Sequence, residues 1–149
     1  MPFKIRDLKR EDRPGWENLW GGYLDFYEAK MEPVTIEVTW SRLNDPLEPL
    51  FCMVAEDSDS HELVGLVHCV IHRGTWAIGN FCYLEDLFTA PSARKQGVGR
   101  ALIEAVYALA DRLHCERTYW LTRETNETAR KLYDKVAKYY GFIQYRRVQ

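Results

Sequence analysis

The sequence predicts an α/β (α+β) fold, a mixed central β-sheet flanked by helices. Three observations predict it. Short apolar or alternating segments recur between turn-forming residues, as strands do. Longer segments between them carry apolar residues at helical spacing. The length of 149 residues fits one domain, residues 1–149; a chain of that size buries about 70% of the surface it exposes when unfolded.

Taken in order, Phe3 and Ile5 alternate with Lys4 and Arg6, which predicts a short opening strand. Trp16, Leu19, Trp20, Tyr23, Leu24 and Tyr27 then fall at i, i+3, i+4, i+7, i+8 and i+11, one apolar stripe on a first helix. Gly21 and Gly22 lie inside it, and each costs about 1 kcal/mol against Ala in a helix. The helix is weakest there, and the glycines permit close packing or a bend. Lys30 to Pro33 is a connector. Val34 to Trp40 alternates like a strand, while Ile36, Trp40 and Leu43 also fit a helix; the pattern alone favours the strand.

Leu50 to Ala55 reads as a strand, Asp57-Ser58-Asp59-Ser60 as a turn, Leu63 to His72 as a second strand and Phe81 to Thr89 as a third. Val98, Leu102, Val106, Leu109 and Leu113 mark a long helix. Arg117 to Thr122 is another strand. Ala129, Leu132, Tyr133 and Val136 mark a helix that Asn126 could cap. Gly141 ends that region, and Phe142 to Val148 closes the chain as a strand. No internal repeat, low-complexity tract or linker interrupts the pattern.

Composition excludes several classes. A hydrophobic share of 46% and a charged share of 28% are those of an ordinary globular protein. A net charge of -2 gives no electrostatic footprint for nucleic acid and slightly favours a cationic substrate. No apolar run reaches the 18 residues that a membrane-spanning helix needs, and MPFKIRDLKR has no secretory apolar core. Cys52, Cys69, Cys82 and Cys115 lack CxxC spacing, and three of them sit in apolar strand-like runs. They read as buried reduced thiols, so a cytoplasmic location is expected. His68 and His72 share a strand face but lie about 13 Å apart at ~3.3 Å per residue, too far to chelate one ion, so no metal is expected.

The chemistry concentrates in YLEDLFTAPSARKQGVGR, Tyr83 to Arg100. A strand bearing Glu85 and Asp86 leads through Ala90-Pro91-Ser92 into a cationic, glycine-bearing loop and then a helix. Helix N-termini leave backbone N–H groups unpaired and carry partial positive charge. Gly97 and Gly99 remove Cβ atoms, so a phosphate can approach those groups, and Arg94, Lys95 and Arg100 add charge. Neither GxxxxGK[ST] nor GxGxxG is present. The residues alone read either as a phosphate site or as a glycine-rich turn before a helix.

RKQGVG matches the R/Q-x-x-G-x-G/A signature of the GCN5-related N-acetyltransferases (GNAT), where it forms the acetyl-CoA pyrophosphate loop. YLEDLFTAPSARKQGVGRALIEAVYALA resembles the main coenzyme motif of that family. TYWLTRETNETARKLYDKVAKYYGFIQYRR resembles its following strand, helix and closing strand. YLEDLF, the N-x-x-A-x-x-LY run and F-I-x-Y-R-R are most similar to fungal Hpa-type and polyamine acetyltransferases. The strong resemblance covers about residues 63–149; the N-terminal third shares only the layout. It implies a helix over residues 34–43 and the element order βααβββαβαβ.

The resemblance also implies roles. The loop Arg94, Lys95, Gln96, Gly97, Val98, Gly99 and Arg100 would hold the pyrophosphate of acetyl-CoA. The backbone of Leu87, Phe88 and Thr89 would pair with the pantetheine amides as an added strand does. Asn126 would touch the same arm, or serve only as a helix cap. Successive strand residues face opposite ways, so Glu85 and Asp86 enter one pocket only across a bulge, which the family has in this strand. Glu85 would take the proton of the amine, and Asp86 would orient a cationic acceptor; otherwise both are solvated or salt-bridged carboxylates. Tyr133 would protonate the leaving thiolate, or else pack in the core. Apart from the resemblance, aromatic faces attract ammonium groups, so Tyr23, Tyr27 and Trp120 could line an acceptor pocket, or be plain core.

The expected activity is therefore acetyl-CoA-dependent N-acetyl transfer to a primary amine of a small molecule or peptide, by direct attack. The runner-up is a non-catalytic acyl-CoA-binding or regulatory module on the same fold, against which Glu85 and Tyr133 together argue. Hpa-like proteins associate through C-terminal strands, and Phe142-Ile143-Gln144-Tyr145 offers a suitable edge for a homodimer.

Overall fold

In the computed structural model, which describes residues 1–149, the alternating and apolar segments form β1 (Phe3–Asp7), β2 (Leu50–Asp57), β3 (Leu63–His72), β4 (Phe81–Thr89) and β5 (Arg117–Tyr119). They make one sheet in the order β1-β2-β3-β4-β5. Neighbours from β1 to β4 run antiparallel, and β5 runs parallel to β4. The helices are α1 (Arg13–Phe26), α2 (Pro33–Leu43), α3 (Val98–Arg112) and α4 (Glu127–Val136).

Each sheet face has its own core. On one, Val98, Leu102, Ile103 and Val106 of α3 bury completely or nearly so against Val67, Cys69, Cys82 and Leu84 of the sheet. Burying each such side chain contributes about 1.5–3 kcal/mol. On the other, Trp16, Leu19 and Trp20 of α1 pack on Cys52, Val54, Leu66 and Phe88. The α1 helix runs unbroken through both interior glycines. A Cβ at Gly22 would stand 3.1 Å from the Phe88 ring, so the bare backbone there lets helix and sheet approach.

Residues 33–43 are a helix, as the family resemblance implies and against the strand alternation. Pro33 sits in the first turn, where its missing N–H costs nothing. Ile36, Trp40 and Leu43 then pack against the α1 core while Val34 and Val38 stay exposed. One half-buried helical stripe outweighs a two-residue alternation that would have had no neighbouring strand.

Three expectations near the C-terminus are corrected. The strand expected over Arg117 to Thr122 stops at Tyr119. The α4 helix ends at Val136, before Gly141. The closing strand over Phe142 to Val148 is not formed: residues 137–149 are neither helix nor strand, and Phe142, Ile143, Tyr145 and Val148 are exposed. Alternation gives a segment one apolar face, but a strand exists only where another edge accepts its hydrogen bonds. The mixed sheet and its flanking helices otherwise follow the expected order.

Candidate active site

The site begins at an irregularity in β4. His68 pairs with Asp86, but Cys69 pairs with Leu84, so Glu85 has no partner on β3 and is a β-bulge. The bulge reverses the pleat. Before it, Cys82 and Leu84 face the α3 core; after it, Phe88 faces the α1 core and Leu87 packs against the α3 core. Asp86 shares the Phe88 side and meets His68 Nδ1 at 3.0 Å.

The same point ends the pairing with β5, which runs only from Phe81 to Tyr83. Beyond it the β4 edge that faced β5 is free. An extended ligand bearing amides can pair there with the backbone of Leu87, Phe88 and Thr89, whatever their side chains.

A single 3-10 turn at Pro91–Ala93 leads from β4 into the glycine loop. Lys95 takes φ +63° and Gly97 φ +85°. This left-handed conformation costs a non-glycine residue about 1–2 kcal/mol and glycine almost nothing. It turns the chain into α3 at Val98. The N–H groups of Val98, Gly99 and Arg100 therefore have no partner inside the helix and lie at its positive end. The Val98 side chain is buried, so only its backbone can serve a ligand. A Cβ at Gly99 would come no nearer than 3.7 Å to Leu132 and 3.9 Å to Thr89 Oγ1, which is ordinary contact, and one at Gly97 would meet nothing within 4 Å.

The loop side chains are disposed unequally. Arg94 folds back towards β4, where its Nε donates to the Thr89 carbonyl at 3.2 Å. Its guanidinium lies over Phe88 at 5.8 Å and Phe26 at 6.0 Å. Arg100 pairs with Glu104 one turn along α3, and Gln96 donates to the Ser92 carbonyl at 3.5 Å. Lys95 is exposed.

Across the gap, the end of α1 and the start of α4 face each other. A cleft of about 230 Å³ between them is lined by Phe26, Tyr27, Arg123, Thr125 and Asn126. Tyr23 and Tyr27 pack with ring centres 4.9 Å apart, and Arg123 lies over Tyr27 at 5.3 Å. Burial, and secondarily Tyr27, pushes the Tyr133 phenol up to about 12, so it keeps its proton throughout the neutral range. Burial and then the Asp86 carboxylate push the Tyr23 phenol far above its ordinary value. The Glu85 side chain stays open to solvent, yet partial loss of water, followed by repulsion from Asp86, raises its carboxyl above the usual range.

Tyr23, Tyr27, Glu85, Asp86 and Tyr133 thus share one electrostatic neighbourhood. Trp120 stands apart from Tyr23: it packs edge-on to Tyr133 at 5.4 Å and beside Tyr107 at 6.4 Å, on the α3 side. Asn126 occupies the N-cap position of α4, but its side chain caps nothing and instead donates to Thr122 Oγ1 at 3.2 Å. The capping expected of it is corrected accordingly. His72 bonds Tyr119 while His68 bonds Trp16 and Asp86, so the two histidines belong to separate networks. Sequence reasoning missed Trp16 and His68 beside Asp86. The available signal was a lone polar residue in the apolar run LVGLVHCV, which must find a partner once buried.

A free strand edge beside a helix N-terminus with unpaired N–H groups makes this an α/β protein with a candidate site for an extended, anionic ligand. Comparison with known proteins gives that class its family. The model of the acetyltransferase (GNAT) family matches residues 6–139, so the chain belongs to that family, and it is an N-acetyltransferase of the Hpa type. The D-amino-acid N-acetyltransferase HPA3 of Saccharomyces cerevisiae is 34% identical over 143 residues, covering 96% of this chain and 89% of that protein. Among solved structures, a ribosomal-protein-alanine N-acetyltransferase from Brucella melitensis biovar Abortus 2308 has a TM-score of 0.82 at 18% identity and covers 99% of this chain and 100% of its own. AAC(6')-Iy in complex with a CoA bisubstrate analogue also has a TM-score of 0.82 at 18% identity, over 100% and 99%. These two likenesses show the shared fold.

Proposed function

We propose that the protein transfers an acetyl group from acetyl-CoA to a primary amine of a small molecule or peptide, by direct attack. The observation that carries this is the parting of β4 from β5 at the Glu85 bulge, beside the open N-terminus of α3. That gap fits a pantetheine arm and a pyrophosphate. The N–H groups from Gly97 to Arg100 hold the pyrophosphate, with Arg94, Lys95, Gln96 and Arg100 around it. The backbone of Leu87, Phe88 and Thr89 pairs with the arm, and Asn126 borders it. Acetyl-CoA bound there supplies an acetyl group activated as a thioester.

The residues of the chain then manage protons. Glu85, directly or through a water it holds, takes a proton from the acceptor ammonium, and its raised carboxyl makes it a better base than an ordinary glutamate. Asp86, Tyr23 and Tyr27 receive the ammonium, with Trp120 backing Tyr133. The new C–N bond forms at the acetyl carbonyl as the C–S bond breaks. Tyr133 gives its proton to the departing sulfur. The nitrogen gives up its second proton as the amide forms, and Tyr133 regains that proton through solvent; the products are an amide and a free thiol, and Glu85 releases its own proton to solvent.

The test is a panel of amines incubated with acetyl-CoA and read by free-thiol release. Polyamines, peptides and amino acids belong in it, D-amino acids included because the yeast relative is named for them. Coenzyme binding with no thiol release for any amine would sink the reading. A homodimer joined through the C-terminal segment is part of the same proposal, supported by the exposed Phe142, Ile143 and Tyr145 and by the sheet ending at β5. Sedimentation of the chain with and without residues 142–149 tests it. A cytoplasmic location is supported by four free cysteines. No helix is long and apolar enough to cross a membrane.

A further inference from the structure

The buried histidine of β3 has no part in the reaction as described above. His68 is 5% exposed and lies against Trp16 and Trp20, at ring-centre distances of 6.1 and 4.8 Å. Trp16 Nε1 donates to His68 Nε2 at 3.0 Å. An indole nitrogen only donates, so Nε2 accepts and carries no proton in this arrangement. The ring proton therefore sits on Nδ1, which donates to Asp86 Oδ2 at 3.0 Å. The three residues come from α1, β3 and β4 and are joined through the core rather than through solvent.

We propose that His68, locked in one tautomer by Trp16, is a positioning residue that holds Asp86 by Oδ2 and leaves Oδ1 to receive the ammonium of the acceptor. This rests on the reading of Asp86 as the acceptor contact. The carboxylate is bound on one oxygen before any substrate arrives, so no side-chain freedom is lost when the amine docks. The Tyr23 phenol beside it keeps its proton, because burial and Asp86 both oppose ionisation, and so it adds no competing charge.

The direction of the chain has a chemical consequence. Nε2 is already occupied by the Trp16 N–H, so a proton arriving at Asp86 has no onward path through His68. The order differs from a catalytic triad, in which the histidine accepts a proton on its free nitrogen. Here the chain ends in the core. The proton released by the acceptor leaves through Glu85, whose side chain meets solvent. Asp86 binds the cation and Glu85 takes its proton, two roles on adjacent residues of which one is the bulge and the other is paired.

The experiment compares His68→Leu with His68→Gln. Glutamine can accept from Trp16 and donate to Asp86; leucine can do neither. His68→Leu is expected to raise KM for the cationic amine about tenfold, the loss of one charge-assisted hydrogen bond, while KM for acetyl-CoA stays unchanged. His68→Gln is expected to restore most of that loss. Equal changes in both KM values, or none, would overturn the proposal. Long-range 1H–15N spectra of the wild type read the tautomer directly, with Nδ1 protonated and Nε2 bare; the reverse tautomer or a doubly protonated ring would overturn it too. If no amine is acetylated by the wild type, the parent reading fails by itself. The spectrum and an amine-binding titration of the two variants still decide the role of His68.

Discussion

The loop from Arg94 to Arg100 and the wall of Tyr23, Tyr27, Asp86 and Tyr133 carry the two halves of the proposed site, and they are made of different material. The loop offers backbone: one left-handed glycine, Gly97, with open space around it, and a helix end. Its charged side chains are exposed or engaged with neighbours such as Thr89 and Glu104. The wall offers side chains, held in place by the stacking of Tyr23 on Trp20, by its tilted packing on Tyr27 and by one buried hydrogen-bond chain. A backbone site depends on conformation and survives most substitutions. A side-chain site depends on residue identity, and a single atom can abolish it.

That contrast predicts a gradient of mutational effects. The largest belongs to the wall. Tyr133→Phe should lower kcat about a hundredfold, the size of a lost general acid, with KM for acetyl-CoA nearly unchanged; an unaltered kcat at every pH would remove Tyr133 from the chemistry. Wild-type rates should show no alkaline loss from this residue until pH approaches about 12, where its phenol would ionise. Glu85→Gln comes next. The base must be ionised, and its carboxyl is raised, so wild-type kcat/KM should fall as pH drops through a value above the ordinary glutamate range. The glutamine variant should lose that acid limb, and an identical profile would place the base elsewhere.

The loop should respond less, and only where conformation is at stake. Gly97→Ala forces a side chain into the left-handed region and should cost about 1 kcal/mol of stability, measured by urea unfolding, with weaker coenzyme binding. Gly99→Ala is the smallest case. The added methyl makes only ordinary contacts, so stability should change by less than about 0.5 kcal/mol. A large loss of coenzyme affinity in that variant would mean that the ligand, not the protein, fills the space.

Legibility followed the same divide. The α3 helix, the β2 to β4 hairpins and the glycine loop all rest on near neighbours in the chain, and spacing alone revealed them. Residues 34–43 did not yield to spacing, because two periods fitted and only the unseen α1 surface decides between them. The closing strand failed for a related reason: Phe142 to Val148 has the pattern, but pairing is a property of two segments. Trp16 and His68 are 52 residues apart, and nothing local marks either as a partner of Asp86. Their grouping is a product of the fold. The turn of the glycine loop into α3 was thus readable, and the pairing of Trp16 and His68 behind Asp86 was not.

The bulge at Glu85 makes β4 a strand with parity. Glu85 is the one residue of this stretch that opposes no residue of β3, so Leu84 and Asp86 take adjacent partners and opposite faces. Deleting Glu85 would close the bulge into a regular ladder, with Asp86 still opposite His68 and Leu87 still on the α3 core; the strand would lose a carboxylate and keep its facing. Deleting or adding one residue elsewhere in the strand would turn its far end over. A length change in β4 is therefore absorbed at one position and disruptive at its neighbours.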